Sequence, residues 1–244
     1  MNEQQKLLQS IRDFLEQEQK TFGPFQIPDP FPKADPSDTT ISASDSSPSQ
    51  TATSLTTDTA ETLDDLYELC IHADELKTDL QSTNLVFGTG NPNADIMFIG
   101  EAPGKDEDRM REPFVGSAGK LLNKILQSIH FQRDEVYIAN ILKHRPPDNR
   151  DPHPEERSRS LPYLIRQIDL IQPKWIVCLG KVSAQTLLET QKPLKKLRGS
   201  FHPFRGSIKL MVTFHPAALL RNPSWKRETW EDVKMLRKEY DKAN

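Results

Sequence analysis

The chain is poor in the residues that mark several protein classes. Two cysteines among 244 residues, Cys70 and Cys178, supply neither a disulfide framework nor a CxxC metal site. No apolar run approaches the roughly 20 residues needed to span a bilayer. The N-terminus pairs no basic stretch with an apolar core, so a secretory signal is not expected and a cytoplasmic, nucleoid-associated address is. The glycine-rich phosphate motifs are incomplete as well. Gly100 and Gly104-Lys105 stand one residue too close for a phosphate loop, and Asp106 follows the lysine where Ser or Thr belongs. Gly88-Thr89-Gly90 precedes a strand, and Asn93 occupies the place of the third glycine of a dinucleotide fingerprint.

What is present is unevenly distributed. Residues 1–76 hold four Lys/Arg against 15 Asp/Glu, whereas the remainder holds 28 basic and 20 acidic residues. An acidic leader on a basic body suits a protein that meets nucleic acid, because the basic part attracts a phosphate backbone in a salt-dependent way.

Leu7, Leu8, Ile11, Phe14 and Leu15 fall on one face of a helix, so residues 1–22 are expected to carry an amphipathic helix that docks on the body or on a protein partner. Residues 23–61 read as a disordered acidic linker: between Ala34 and Thr62, 15 of 29 residues are Ser or Thr and none is Lys, Arg or aromatic. Residues 62–244 read as one globular domain. Apolar runs at 95–100, 135–142, 175–180 and 208–214 alternate with helical patterns at 62–76, 117–130, 154–171, 181–191 and 228–243. This alternation predicts an α/β fold, a single domain with a central, mostly parallel four-stranded sheet flanked by helices.

In such sheets the chemistry gathers in loops at the carboxyl ends of the strands. Three of these ends are rich in it: GEAPGKDED at 100–108, NILKHRPPDNRDP at 140–152 and HPAALLRNP at 215–223. The fourth, Gly180-Lys181, offers little.

VFGTGNPNADIMFIGEAPGKDED, PFVGSAGKLLNKIL, YIANILKHRPPDNRDPHPEE, IVCLGK and HPAALLRNP, in that order, closely resemble the family 4 uracil-DNA glycosylases. The resemblance runs from about residue 62 to 240. It implies the uracil-DNA glycosylase fold and hydrolysis of the bond joining uracil to deoxyribose, on a base flipped out of the DNA helix. A monomer acting on uracil-containing DNA is expected.

By position, Asn140 matches the family's uracil-reading Asn, Phe114 its base-stacking aromatic and His215 its second-motif histidine. Gly100, Ala102 and Glu107 complete the uracil-binding set. An Asn amide pairs with O4 and N3–H of uracil and leaves cytosine unpaired, although a structural Asn capping a turn is the alternative. For Phe114 and His215 the alternatives are core residues. His215 is expected to donate to uracil O2 as negative charge builds there. Glu101 is the nearest carboxylate to orient water, since Ala102 occupies the place of the Asp in better-known relatives.

On the DNA side, Leu219 suits a wedge into the base stack, with Arg221 and Arg145 for phosphates. The other reading of Leu219 is a buried leucine in the first turn of a helix. The loop from Asp106 to Phe114 has the ordinary length of the hydrolytic branch.

The resemblance breaks at the family's [4Fe–4S] cluster. Its four cysteine positions fall on Ala73, Leu76, His144 and Ser160. Cluster ligation needs thiolates, occasionally imidazole, so no cofactor is expected. A second functional reading, a non-catalytic protein that binds uracil or single strands, treats the missing cluster as a sign of decay. A third is a structural subunit recruiting partners through the 3–19 helix.

Overall fold

The computed structural model describes residues 57–78 and 82–243. The chain divides into Met1–Thr51 and Ala52–Asn244, and all described residues belong to the second unit. The expected N-terminal helix and most of the expected linker therefore lie outside the described residues.

Helix α1 (Leu63–His72) begins where Thr62 and Asp65 cap each other's backbone N–H groups, and it turns Leu66 and Cys70 inward. Before it, Thr57–Thr59 form a 3-10 turn, Ala60 is buried, and its carbonyl accepts from Arg166. Then follow β1 (Thr89–Gly90), β2 (Ile96–Gly100), α2 (Lys105–Met110), α3 (Ser117–Ser128), β3 (Tyr137–Asn140), α4 (Pro154–Ile171) and β4 (Trp175–Leu179). The chain continues through α5 (Lys181–Leu187), α6 (Leu194–Leu197), β5 (Phe201–Phe204), β6 (Ile208–Thr213), α7 (Pro216–Arg221) and α8 (Lys226–Ala243).

The sheet has six strands among the described residues, in the order β1-β3-β2-β4-β6-β5, not the four expected. The four expected strands form its parallel centre, and β1 and β5 add antiparallel edges. Both additions are short, and β5 carries Pro203, which only an edge tolerates because proline lacks the N–H of a ladder bond. β2, β3 and β4 are buried at every residue, as parallel strands covered on both faces must be. One face packs Met97, Ile99, Ile176 and Cys178 under α4 and α5; the other packs Phe98, Val177 and Met211 under α3 and α8.

The chain leaves β2 for β3 on one side and later enters β4 on the other. The carboxyl ends of β2, β3 and β4 thus frame the crevice where such sheets bind ligands. Gly100 pairs in register with Asn140 across it.

Candidate active site

A cavity of about 400 Å³ opens at this crevice. Glu101, Ala102, Glu107, Phe114, Asn140, His215 and Arg221 line it, together with Arg150 and Asp151.

Its floor is built by close approach. A Cβ on Gly100 would lie 2.3 Å from Asn140 Oδ1 and 2.7 Å from the Phe114 ring, so only glycine lets these two side chains meet over the end of β2. Asn140 is 1% exposed, and its Oδ1 has no hydrogen-bond partner among the described residues. An unpaired buried acceptor costs about 1–3 kcal/mol, a cost that a ligand N–H would remove.

Phe114 is held in a left-handed backbone conformation, φ +53°. Two contacts keep it there. Glu107 Oε1 accepts from the N–H groups of Val115 and Gly116 at 3.1 and 3.0 Å. Gly119 lets α3 start directly beneath the Phe114 carbonyl, where a Cβ would sit 1.8 Å from that oxygen. Glu107, expected to touch uracil, lines the cavity but spends one carboxylate oxygen on this loop.

His215 caps α7: its Nδ1 accepts from the Ala217 N–H at 3.1 Å. The neutral ring therefore carries its proton on Nε2. Burial, reinforced by the Arg221 charge, pushes its pKa down to about 4, so the imidazole is uncharged at neutral pH. Its ring lies 5.4 Å from that of Phe114. Gly180, at the strand end that looked empty of chemistry, backs this histidine: its φ is +101°, and a Cβ there would press on His215 Cβ at 3.1 Å. That role is invisible in sequence because 35 positions separate the two residues.

Glu101 is half-buried. Desolvation first, then the nearby Asp151 charge, pushes its carboxyl up to about 7, against the pull of Lys181 and Arg157. Ala102 lines the cavity with an apolar side chain.

The DNA-side residues divide. Arg221 lines the cavity mouth, as does Arg150, which Glu156 grips through both carboxylate oxygens at 2.8 Å. Arg145 is not among the lining residues and donates to Asn149 Oδ1 at 2.8 Å. Leu219 is 1% exposed, between α3 and α8, so the second reading of it, a buried helical leucine, describes its place. Leu220 is 48% exposed. Adjacent helical residues point about 100° apart, and in α7 it is the second leucine that faces outward.

The family's four cluster positions are all buried, but they do not supply a ligand set. Ala73 and Leu76 pack in an apolar cluster with Leu66, Cys70 and Tyr163. His144 Nδ1 pairs with Thr83 Oγ1 at 3.1 Å, and Ser160 Oγ donates to the Ile141 carbonyl at 2.7 Å. The one sulfur in that cluster, Cys70, has its thiol pushed up to about 12 by burial, far from the thiolate a cluster needs. The residues present do not fit an iron–sulfur cluster, and no group of three or more His, Cys, Asp or Glu among the described residues is arranged to hold a metal ion.

The cavity thus brings together an unpaired Asn acceptor, an aromatic ring and a neutral histidine at the carboxyl ends of the central strands. The profile of the Uracil DNA glycosylase superfamily matches residues 87–234, and the chain belongs to that superfamily. Among its relatives, the type-4 uracil-DNA glycosylase of Archaeoglobus fulgidus is 41% identical over 183 residues, covering 72% of this chain and 92% of that protein. The type-4 uracil-DNA glycosylase of Sulfurisphaera tokodaii is 42% identical over 185 residues, covering 72% of this chain and 84% of that protein. That of Thermotoga maritima is 42% identical over 157 residues, covering 63% of this chain and 82% of that protein.

Proposed function

We propose that this protein is a monofunctional uracil-DNA glycosylase that starts base-excision repair without an iron–sulfur cluster. It hydrolyses the N-glycosidic bond of a flipped-out deoxyuridine, water adding to the sugar while uracil departs, and leaves an abasic site. The reading is carried by Asn140 Oδ1, buried and unpartnered beside Gly100 and Phe114. Uracil N3–H supplies the missing donor, and the Asn140 amide N–H donates to O4. Cytosine presents the reverse pattern and leaves both groups unpaired, which costs several kcal/mol in a buried site.

Phe114 stacks on the bound ring. As the bond breaks, negative charge gathers on uracil O2 and the Nε2–H of neutral His215 donates to it, a contribution of about 3–4 kcal/mol for a single well-placed donor. Glu101, in its ionised form, orients the water and stabilises the positive charge on the sugar. No lysine is among the residues lining the cavity, which favours hydrolysis over a Schiff-base lyase route.

Extrusion of the base costs a few kcal/mol of unstacking. Leu220 is the wedge that offsets it, in place of Leu219, with Arg221 and Arg150 on the flanking phosphates and Arg145 further out. The enzyme acts as a monomer on nucleoid DNA in the cytoplasm, its glycosylase domain extending to residue 244. The amphipathic 1–22 segment, on its linker, serves a protein partner. Among the described residues, no helix is long and apolar enough to cross a membrane.

The test is excision from an oligonucleotide with one U·G pair, by protein purified with a chelator, with absorbance recorded on the same sample. The expected result is alkali-labile cleavage without an iron–sulfur band. Tight, salt-sensitive binding with no cleavage would replace this reading with that of a non-catalytic uracil binder.

A further inference from the structure

Lys143 is fully buried, a rare state for lysine. Among the described residues it has no carboxylate partner. Its ammonium group donates instead to three neutral oxygens: the Phe87 carbonyl at 3.2 Å, the Asn140 carbonyl at 3.1 Å and Gln167 Oε1 at 2.5 Å. Gln167 in turn donates to the Phe87 carbonyl at 3.1 Å, and the Val86 N–H donates to the Lys143 carbonyl at 2.8 Å. A single side chain thus ties the segment before β1, the carboxyl end of β3 and the C-terminal half of α4. Burial lowers its pKa to about 8, so it is mostly charged at neutral pH despite the desolvation.

A charge kept inside without a counter-ion is costly, and a methionine would fill the same space without that cost. What the charge adds is a fixed direction for the Asn140 carbonyl. That matters because the Asn140 side chain has an unpaired Oδ1 and thus little hydrogen bonding of its own on that side.

We infer that Lys143 is a positioning residue for base recognition: through the Asn140 carbonyl, it fixes the peptide from which the Asn140 amide faces the uracil ring. The inference rests on the uracil-excision reading above.

The test is a double-mutant cycle on single-turnover excision of U·G DNA, with thermal unfolding recorded for every protein. Lys143→Met is expected to lose about 10²-fold in the wild-type background, the scale of a 1 Å misplacement. In an Asn140→Ala background the same change is expected to lose less than about threefold, because the group it positions is gone. Equal losses in both backgrounds, or no loss in either, overturn the inference. If Lys143→Met does not fold, Gln167→Leu enters the same cycle; it removes one acceptor and is expected to give a smaller loss that likewise disappears with Asn140→Ala. Absence of excision by the wild-type protein would instead overturn the functional reading.

Discussion

Asn140 and His144 stand four residues apart on one stretch of chain, and their surroundings are opposite. Around Asn140 the side chains crowd together yet leave a buried oxygen unpaired. Around His144 polar groups find partners within the protein: His144 Nδ1 with Thr83, the Ser160 hydroxyl with Ile141, the Tyr163 hydroxyl with Glu75. The first region keeps a buried acceptor that no protein group meets, and the second pairs these polar groups within the protein. Polar satisfaction therefore separates the candidate recognition site from the region around His144.

The contrast sharpens if excision collapses only when the first region is changed. His215→Ala and Asn140→Ala are each expected to lower single-turnover excision by about 10²–10³-fold, the range for removal of one well-placed donor, with little change in unfolding midpoint. Gly100→Ala comes next. Its methyl group would press on Asn140 Oδ1, so excision is expected to fall by about 10²-fold, a loss of the size that small misplacements produce, while cytosine remains untouched.

Glu101 gives a pH signature. Its folded pKa, near 7, lies above the ordinary value of 4.5. Its contribution to stability is therefore full below pH 4.5 and lost as the pH rises through about 7. Excision that needs the carboxylate should rise about tenfold between pH 6 and 8. Glu101→Gln is expected to flatten both trends, as seen in pH series of unfolding and of rate.

The two leucines of α7 separate wedge from core. Leu220→Ala should cost about tenfold on duplex DNA, part of the few kcal/mol that unstacking requires, without loss of stability. Leu219→Ala should cost about 2–5 kcal/mol of stability, as buried leucines do. The smallest effect on activity is expected in the satisfied region. Leu76→Ala should lower stability by about 2–5 kcal/mol and leave the excision rate of the folded protein within twofold, with or without chelator. A large fall in that rate would break the contrast.

Much of this could be read from the chain. The four central strands and their helices followed from alternating apolar runs, because parallel strands buried on both faces are continuous in hydrophobicity. Asn140, Phe114 and His215 lie on short motifs in chain order and all line the cavity, with Gly100 beneath Asn140 and Phe114.

What was hidden has physical reasons. β1 is two residues long and β5 contains Pro203, so neither resembles a strand in isolation. Helical phase decides which of Leu219 and Leu220 faces out, and six residues of PAALLR do not fix it without the helices they pack on. Gly180 gains its role only from where His215 arrives. Nothing in the motifs singles out Lys143, which is buried only because the fold encloses it. The helix expected over residues 1–22 lies outside the described residues.

The account depends most on Asn140 Oδ1 being the place where uracil is read. Free uracil, titrated while the unfolding midpoint is followed, addresses this without any catalysis. A concentration-dependent rise is expected with uracil and not with cytosine, and it should vanish in Asn140→Ala. An equal rise with cytosine, or one that survives Asn140→Ala, would contradict the account.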